Sequence, residues 1–165
     1  MNLSVILIEI AVMLLGFTVL VFGMLLINPL TFISDYPPEI QAEYYRSQGK
    51  EAAKETLTKL MVLKKLMAVA VFLLLFAWML HLAGAKTFWQ GVGLTWVYML
   101  CVFAWDTFFL DWVLFANIKR VRLPGTEHME KAYHQKWFHV KVCLPVVPFA
   151  ALASLVSSAL MLWIW

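Results

Sequence analysis

Apolar and polar positions fall in blocks along this chain, without the short periods of a soluble amphipathic helix or a half-buried strand. Residues 3–28, 62–84, 88–116 and 142–164 are apolar with few interruptions, and residues 29–61 and 117–141 between them are polar and charged. A block of about 20 apolar residues is what a helix needs to cross the hydrocarbon core of a bilayer. The blocks predict four transmembrane helices in one domain, 1–165: an all-α, integral membrane four-helix bundle. Only Ala85-Lys86-Thr87 separates the second and third blocks, so those two spans are expected to be antiparallel neighbours.

The punctuation refines the pattern. Asn28-Pro29 ends the first span, because the residue before proline avoids the helical region. Gly16 and Gly23, one heptad apart, offer a place for another helix to approach. Pro37-Pro38-Glu39 opens a short helix to about Arg46, with Ile40, Tyr44 and Tyr45 on one side, as suits a helix lying at the headgroups. A further helix is expected from near Lys50, supported by the Glu55–Lys59 pair at i,i+4. In the second polar block Pro124-Gly125 is a turn, Thr126 a candidate N-cap, and Glu127 the first acid of a short helix to about His139. Both charged loops thus carry short interfacial helices. The last span holds Ala150, Ser154 and Ser158 in a small-xxx-small row, beside Ala153 and Ser157, which predicts a close helix contact. Trp89, Trp96 and Phe103, and likewise Tyr98, Trp105 and Trp112, recur every seven residues. They are expected to pack or face lipid, or else to wall a site for a flat hydrophobic ligand.

Composition agrees with a lipid solvent. Hydrophobic residues make up 63% of the 165, against about 45–50% in soluble domains. Of the 13 Lys and Arg residues all except Lys86 lie in or beside the two charged blocks. The positive-inside rule then places both loops in the cytoplasm and both termini outside. Lys64, Lys65, Arg120 and Arg122 are the expected interface anchors, with apolar stems and charged heads reaching water. No basic stripe interleaved with aromatics is present, so nucleic acid is excluded as a partner. The first span lacks a basic leading region and a small-residue cleavage site, so a removed signal peptide is not expected. Cys101 and Cys143 should lie at depths further apart than the ~7 Å a disulfide spans, which predicts two free thiols.

Acids inside the apolar blocks change the picture most. An Asp at the middle of a spanning helix costs about 2.5–3.5 kcal/mol on insertion scales, so it needs a partner or a task. Glu9 and His81 should both lie in the outer part of the membrane, where they can meet. Asp106 falls near the midplane and Asp111 nearer the cytoplasm, where Lys64, Lys65 or the loop arginines are candidate partners. Five residues of α-helix turn about 140°, so the two aspartates are not expected to face one partner. Glu9, His81, Asp106 and Asp111 are the candidates for a proton or ion relay. In the loop, Glu127, Glu130 and His134 at i, i+3 and i+7 share one helix face and could hold a divalent metal. No phosphate-binding glycine loop, no G-x-S-x-G and no H-E-x-x-H is present, which argues against the common hydrolases and nucleotide-driven pumps.

Asp111-Trp112, followed by Arg122-Leu123-Pro124-Gly125-Thr126-Glu127 and Tyr133, resembles stretches in small multi-pass bacterial membrane proteins of unassigned function. The likeness covers residues 105–140. It implies a protein of a bacterial cytoplasmic membrane, with no activity attached. Three functions remain open. The first is a proton- or cation-linked transporter or channel component, which four helices would complete as a homo-oligomer or within a larger membrane complex. The second is a membrane enzyme acting on a lipid or prenyl-type substrate at the cytoplasmic face. The third is a non-catalytic accessory subunit whose buried charges fix assembly.

Overall fold

A computed structural model describes residues 1–49 and 58–165. Its regular elements are all helical, with no strand among the described residues. Four helices are long and apolar enough to cross a membrane: Leu3–Ile27, Lys59–Leu82, Phe88–Phe115 and Lys136–Ile164. Their outward faces carry large apolar side chains such as Leu15, Val19, Leu66 and Val71, all exposed. Water would penalise such surfaces, whereas lipid does not, and they mark an integral membrane protein.

The chain runs through α1 (Leu3–Ile27), a 3-10 turn (Pro29–Asp35), α2 (Pro38–Ser47), α3 (Lys59–Leu82) and α4 (Phe88–Trp105). The last continues as a π-helix over Asp106–Phe115. A 3-10 turn (Lys119–Val121), α5 (Glu130–Tyr133), α6 (Lys136–Cys143) and α7 (Val146–Ile164) follow. The caps are written in the sequence. Asn2 Oδ1 accepts from the Ser4 N–H at 3.1 Å, Asn28 Oδ1 from the Leu30 N–H at 3.1 Å, and Thr58 Oγ1 from the Met61 N–H at 3.3 Å. The helix expected from Lys50 and the Glu55–Lys59 pair lie outside the described residues.

Contacts divide the protein into two compact units. One contains α1 up to Val12, α3, α4 up to Cys101, and α7. Here the small residues of α7 do what their spacing predicts. Ala150, Ala153, Ser154, Ser157 and Ser158 are all buried, and α7 packs along α3. Gly91 of α4 comes so near that a Cβ there would lie 2.7 Å from Ser158 Oγ. Phe76, Leu80 and Tyr98 fill the centre of this unit.

The other unit contains α1 from Met13, α2, the π-helix, and the segment from Asn117 through α6. Its core joins Phe22 and Leu25 of α1 to Tyr36, Ile40, Tyr44, Leu110, Phe115, Val121, Leu123 and Tyr133. Ile40 and Tyr44, the apolar side of α2, are buried against protein. The run from Arg122 to Tyr133 is a hydrogen-bonded clasp. Thr126 Oγ1 donates to the Leu123 carbonyl at 2.7 Å, so the Tyr133 hydroxyl donates to Thr126 Oγ1 at 2.6 Å and accepts from the Leu123 N–H at 2.9 Å. Burial pushes the Tyr133 phenol above its ordinary range, which keeps that proton in place. Gly125 has φ +84°, and a Cβ there would clash with Ser47 Oγ and lie 2.8 Å from Ser47 Cβ at the end of α2.

Three local expectations are corrected. The single helix expected from Glu127 to His139 is two, α5 and α6, with non-helical backbone at Met129, His134 and Gln135. Thr126 caps no helix, because its hydroxyl is taken by the clasp. Gly16 and Gly23 also differ from expectation: a Cβ at either would meet nothing within 4 Å.

Candidate functional site

The π-helix alters the register of the two aspartates. In an α-helix, residues five apart point about 140° from one another. In a π-helix the hydrogen bond runs from i+5 back to i, so residues five apart sit one turn above each other. The segment closes in that manner, with the Ala116 N–H donating to the Asp111 carbonyl. Asp106 and Asp111 therefore share a face, and a carboxylate oxygen of each lies within 4.8 Å of the other and of Cys143 Sγ.

Opposite them runs α6, where His139 and Cys143 share a face at i,i+4. Trp112 pins the start of this helix to the π segment. Its Nε1–H donates to the Lys136 carbonyl at 3.2 Å, and the Lys136 ammonium sits 5.1 Å from its ring centroid. His139 Nδ1 approaches Asp111 Oδ2 at 3.3 Å, and the Cys143 thiol approaches Asp106 Oδ2 at 3.9 Å. The His139 side chain is 7% exposed, with its ring edge against Phe115, and its Nε2 has no partner.

These groups line a cavity of about 220 Å³. Asp35, Tyr36, Asp106, Asp111, His139 and Cys143 form its polar wall, and Phe17, Val21, Leu25, Phe32, Phe115 and Val142 its apolar wall. The Tyr36 hydroxyl donates to the Val121 carbonyl at 2.6 Å, and burial pushes this phenol well above its ordinary range. It is a neutral wall of the cavity, not a source of protons. Among the described residues no Lys or Arg lies within salt-bridge distance of Asp106 or Asp111.

No family model, curated protein or solved structure matches the chain.

The other candidate residues are placed differently. Glu9 does not meet His81. Its Oε2 accepts from the Tyr98 hydroxyl, and its Oε1 is buried without a partner. His81 is exposed and stacks on Trp165, with ring centroids 4.8 Å apart. Glu127, Glu130 and His134 do not gather. Glu127 Oε1 accepts from the Gly125 N–H at 3.1 Å, Glu130 is 3.8 Å from Arg122, and His134 Nδ1 contacts the Glu130 carbonyl at 2.8 Å. Their shared face needed one continuous helix through 127–134, and α5 covers only Glu130–Tyr133. Lys64, Lys65 and Arg120 are exposed, as anchors would be. The Arg122 side chain is instead 7% exposed: its guanidinium lies 5.2 Å from the Tyr133 ring centroid and donates to the Glu127 carbonyl at 3.0 Å. The loop arginine expected as a partner of Asp111 is thus engaged within its own loop.

The sequence sets His139 only near the loop acids and histidines, and Cys143 only as a packed free thiol. Their i,i+4 spacing is visible, but a helix expected to end near His139 puts them on different elements. In the aromatic stripe Tyr98, Trp105 and Trp112 each polar tip has a partner: Glu9, Thr18 Oγ1 at 2.9 Å and the Lys136 carbonyl.

Proposed function

We propose that this protein is a small membrane transporter or channel component that binds a proton or cation between Asp106 and Asp111. The observation that carries this reading is the pairing of two carboxylates on one face of a spanning helix, at a cavity, with no Lys or Arg within salt-bridge distance of them among the described residues. Acids so placed attract a positive charge, since leaving both ionised and unopposed in an apolar setting is costly. His139 beside Asp111 adds an imidazole able to take up or give a proton. The relay is centred here, with Glu9 and His81 outside its first step.

The topology belongs to the same reading. Both charged loops lie in the cytoplasm, with α2 and α5 near the headgroups, and both termini outside, in a bacterial cytoplasmic membrane. Four helices enclose little space, so a homo-oligomer or a larger complex supplies the rest of the pathway. The test is flux into vesicles reconstituted with the full chain. Asp106→Asn with Asp111→Asn should lower proton or cation flux to that of protein-free vesicles, and flux at the wild-type rate in this variant would remove the reading.

One observation favours a second reading. The cavity has an apolar wall of six side chains facing its polar wall, a lining that suits an amphiphile. On that reading the protein is an enzyme acting on a lipid or prenyl-type substrate, with Asp111 and His139 as the acid–base pair. Turnover of an added prenyl or phospholipid substrate, lost in His139→Gln, would favour it over transport.

A further inference from the structure

We propose that Asp106, Asp111, His139 and Cys143 form a binding site for a divalent transition-metal ion of the zinc class. The inference rests on the reading of this cavity as a cation site and names the cation. Two aspartates alone would suit any positive charge. The thiol and the imidazole narrow the choice: sulfur and nitrogen donors select zinc-like ions, whereas magnesium and calcium take oxygen.

The distances suit such an ion. Tetrahedral bonds of about 2.0–2.3 Å put neighbouring ligand atoms roughly 3.3–3.7 Å apart. His139 Nδ1 and Asp111 Oδ2 stand at 3.3 Å, and Cys143 Sγ and Asp106 Oδ2 at 3.9 Å. Donor atoms of Asp106, Asp111 and Cys143 all lie within 4.8 Å of one another, and His139 adjoins them through Asp111. Burial of His139 is the independent indication. Its side chain is 7% exposed on the wall of this cavity, with Nδ1 turned to Asp111 Oδ2, so the nitrogen available to an ion is held beside that carboxylate. The site joins two elements, the π-helix and α6, so an ion bound there would also fix one against the other.

The experiment uses the full chain in lipid nanodiscs, stripped of metal, with Co²⁺ as a spectroscopic probe and Zn²⁺ as competitor. One Co²⁺ per chain should bind with the intense visible absorption of a tetrahedral site and a thiolate-to-cobalt band in the near ultraviolet. Zn²⁺ should displace it, and a large excess of Mg²⁺ should not. Cys143→Ser should abolish the thiolate band, and His139→Gln and Asp106→Asn should each weaken Co²⁺ binding at least tenfold. A variant that fails to fold would show altered far-ultraviolet circular dichroism, and Cys143→Ala then serves in place of Cys143→Ser. Absence of Co²⁺ binding, or a band that survives Cys143→Ser, overturns the metal site. Proton flux that depends on Asp106 and Asp111 without Co²⁺ binding overturns this inference alone. Loss of both overturns the cation reading as well.

Discussion

Two acids that look alike in the sequence stand in different surroundings. Glu9 lies on α1 with a single side-chain partner, the Tyr98 hydroxyl, and forms no part of the cavity. Asp106 lies on the π-helix at the edge of a cavity, with Asp111, His139 and Cys143 around it. On the proposed reading the first arrangement is a fastener, one carboxylate and one phenol joining α1 to α4. The second concentrates groups that bind or exchange protons where a small ligand has room. Insertion cost alone does not separate structural acids from functional ones in a membrane helix. The ionisable neighbours around them and the space beside them do.

That contrast can be broken in several ways. The largest effect is expected from Asp106→Asn with Asp111→Asn, which should remove at least nine-tenths of the flux while leaving the thermal midpoint in detergent within a few degrees of wild type. Tyr98→Phe should behave in the opposite manner. It strips Glu9 of its partner and should cost about 1–3 kcal/mol in unfolding free energy, with flux retained. Adding Glu9→Leu to Tyr98→Phe should cost much less than the two single changes summed, because each removes the same interaction. A smaller effect is expected in the loop. Tyr133→Phe takes one hydroxyl from two hydrogen bonds and should cost about 1–2 kcal/mol, seen as faster amide exchange at Leu123 and Thr126. The smallest belongs to His81→Gln. This exposed ring stacks on Trp165 alone, and its loss should stay within about 0.5 kcal/mol, with no change in flux.

The spans were legible because apolar block length is a strong signal. Leu3–Ile27 and Phe88–Phe115 end within about one residue of where the polar blocks begin. The close packing of α7 was legible for a similar reason, since Ser154, Ser157 and Ser158 have few uses on a spanning helix other than letting a neighbour approach. The face shared by Asp106 and Asp111 was not legible. Helical periodicity assumes 3.6 residues per turn, and nothing in Asp106-Thr107-Phe108-Phe109-Leu110-Asp111 announces a wider turn. The partner of Glu9 was visible only as one member of an aromatic stripe. Tyr98 differs from Trp105 and Trp112 in carrying a hydroxyl able to meet a carboxylate. Arg122 shows the opposite failure. Its charge suggested an anchor in water, yet the Thr126–Tyr133 clasp buries it beneath its own loop.

Flux through reconstituted vesicles, compared between two variants of equal chemistry, bears most directly on the difference between the two acids. Glu9→Gln and Asp106→Asn each replace one carboxylate by its amide. The account predicts wild-type flux in the first and at least a tenfold loss in the second, at matched protein content and fold. Equal flux in the two variants, whether both active or both silent, would contradict it.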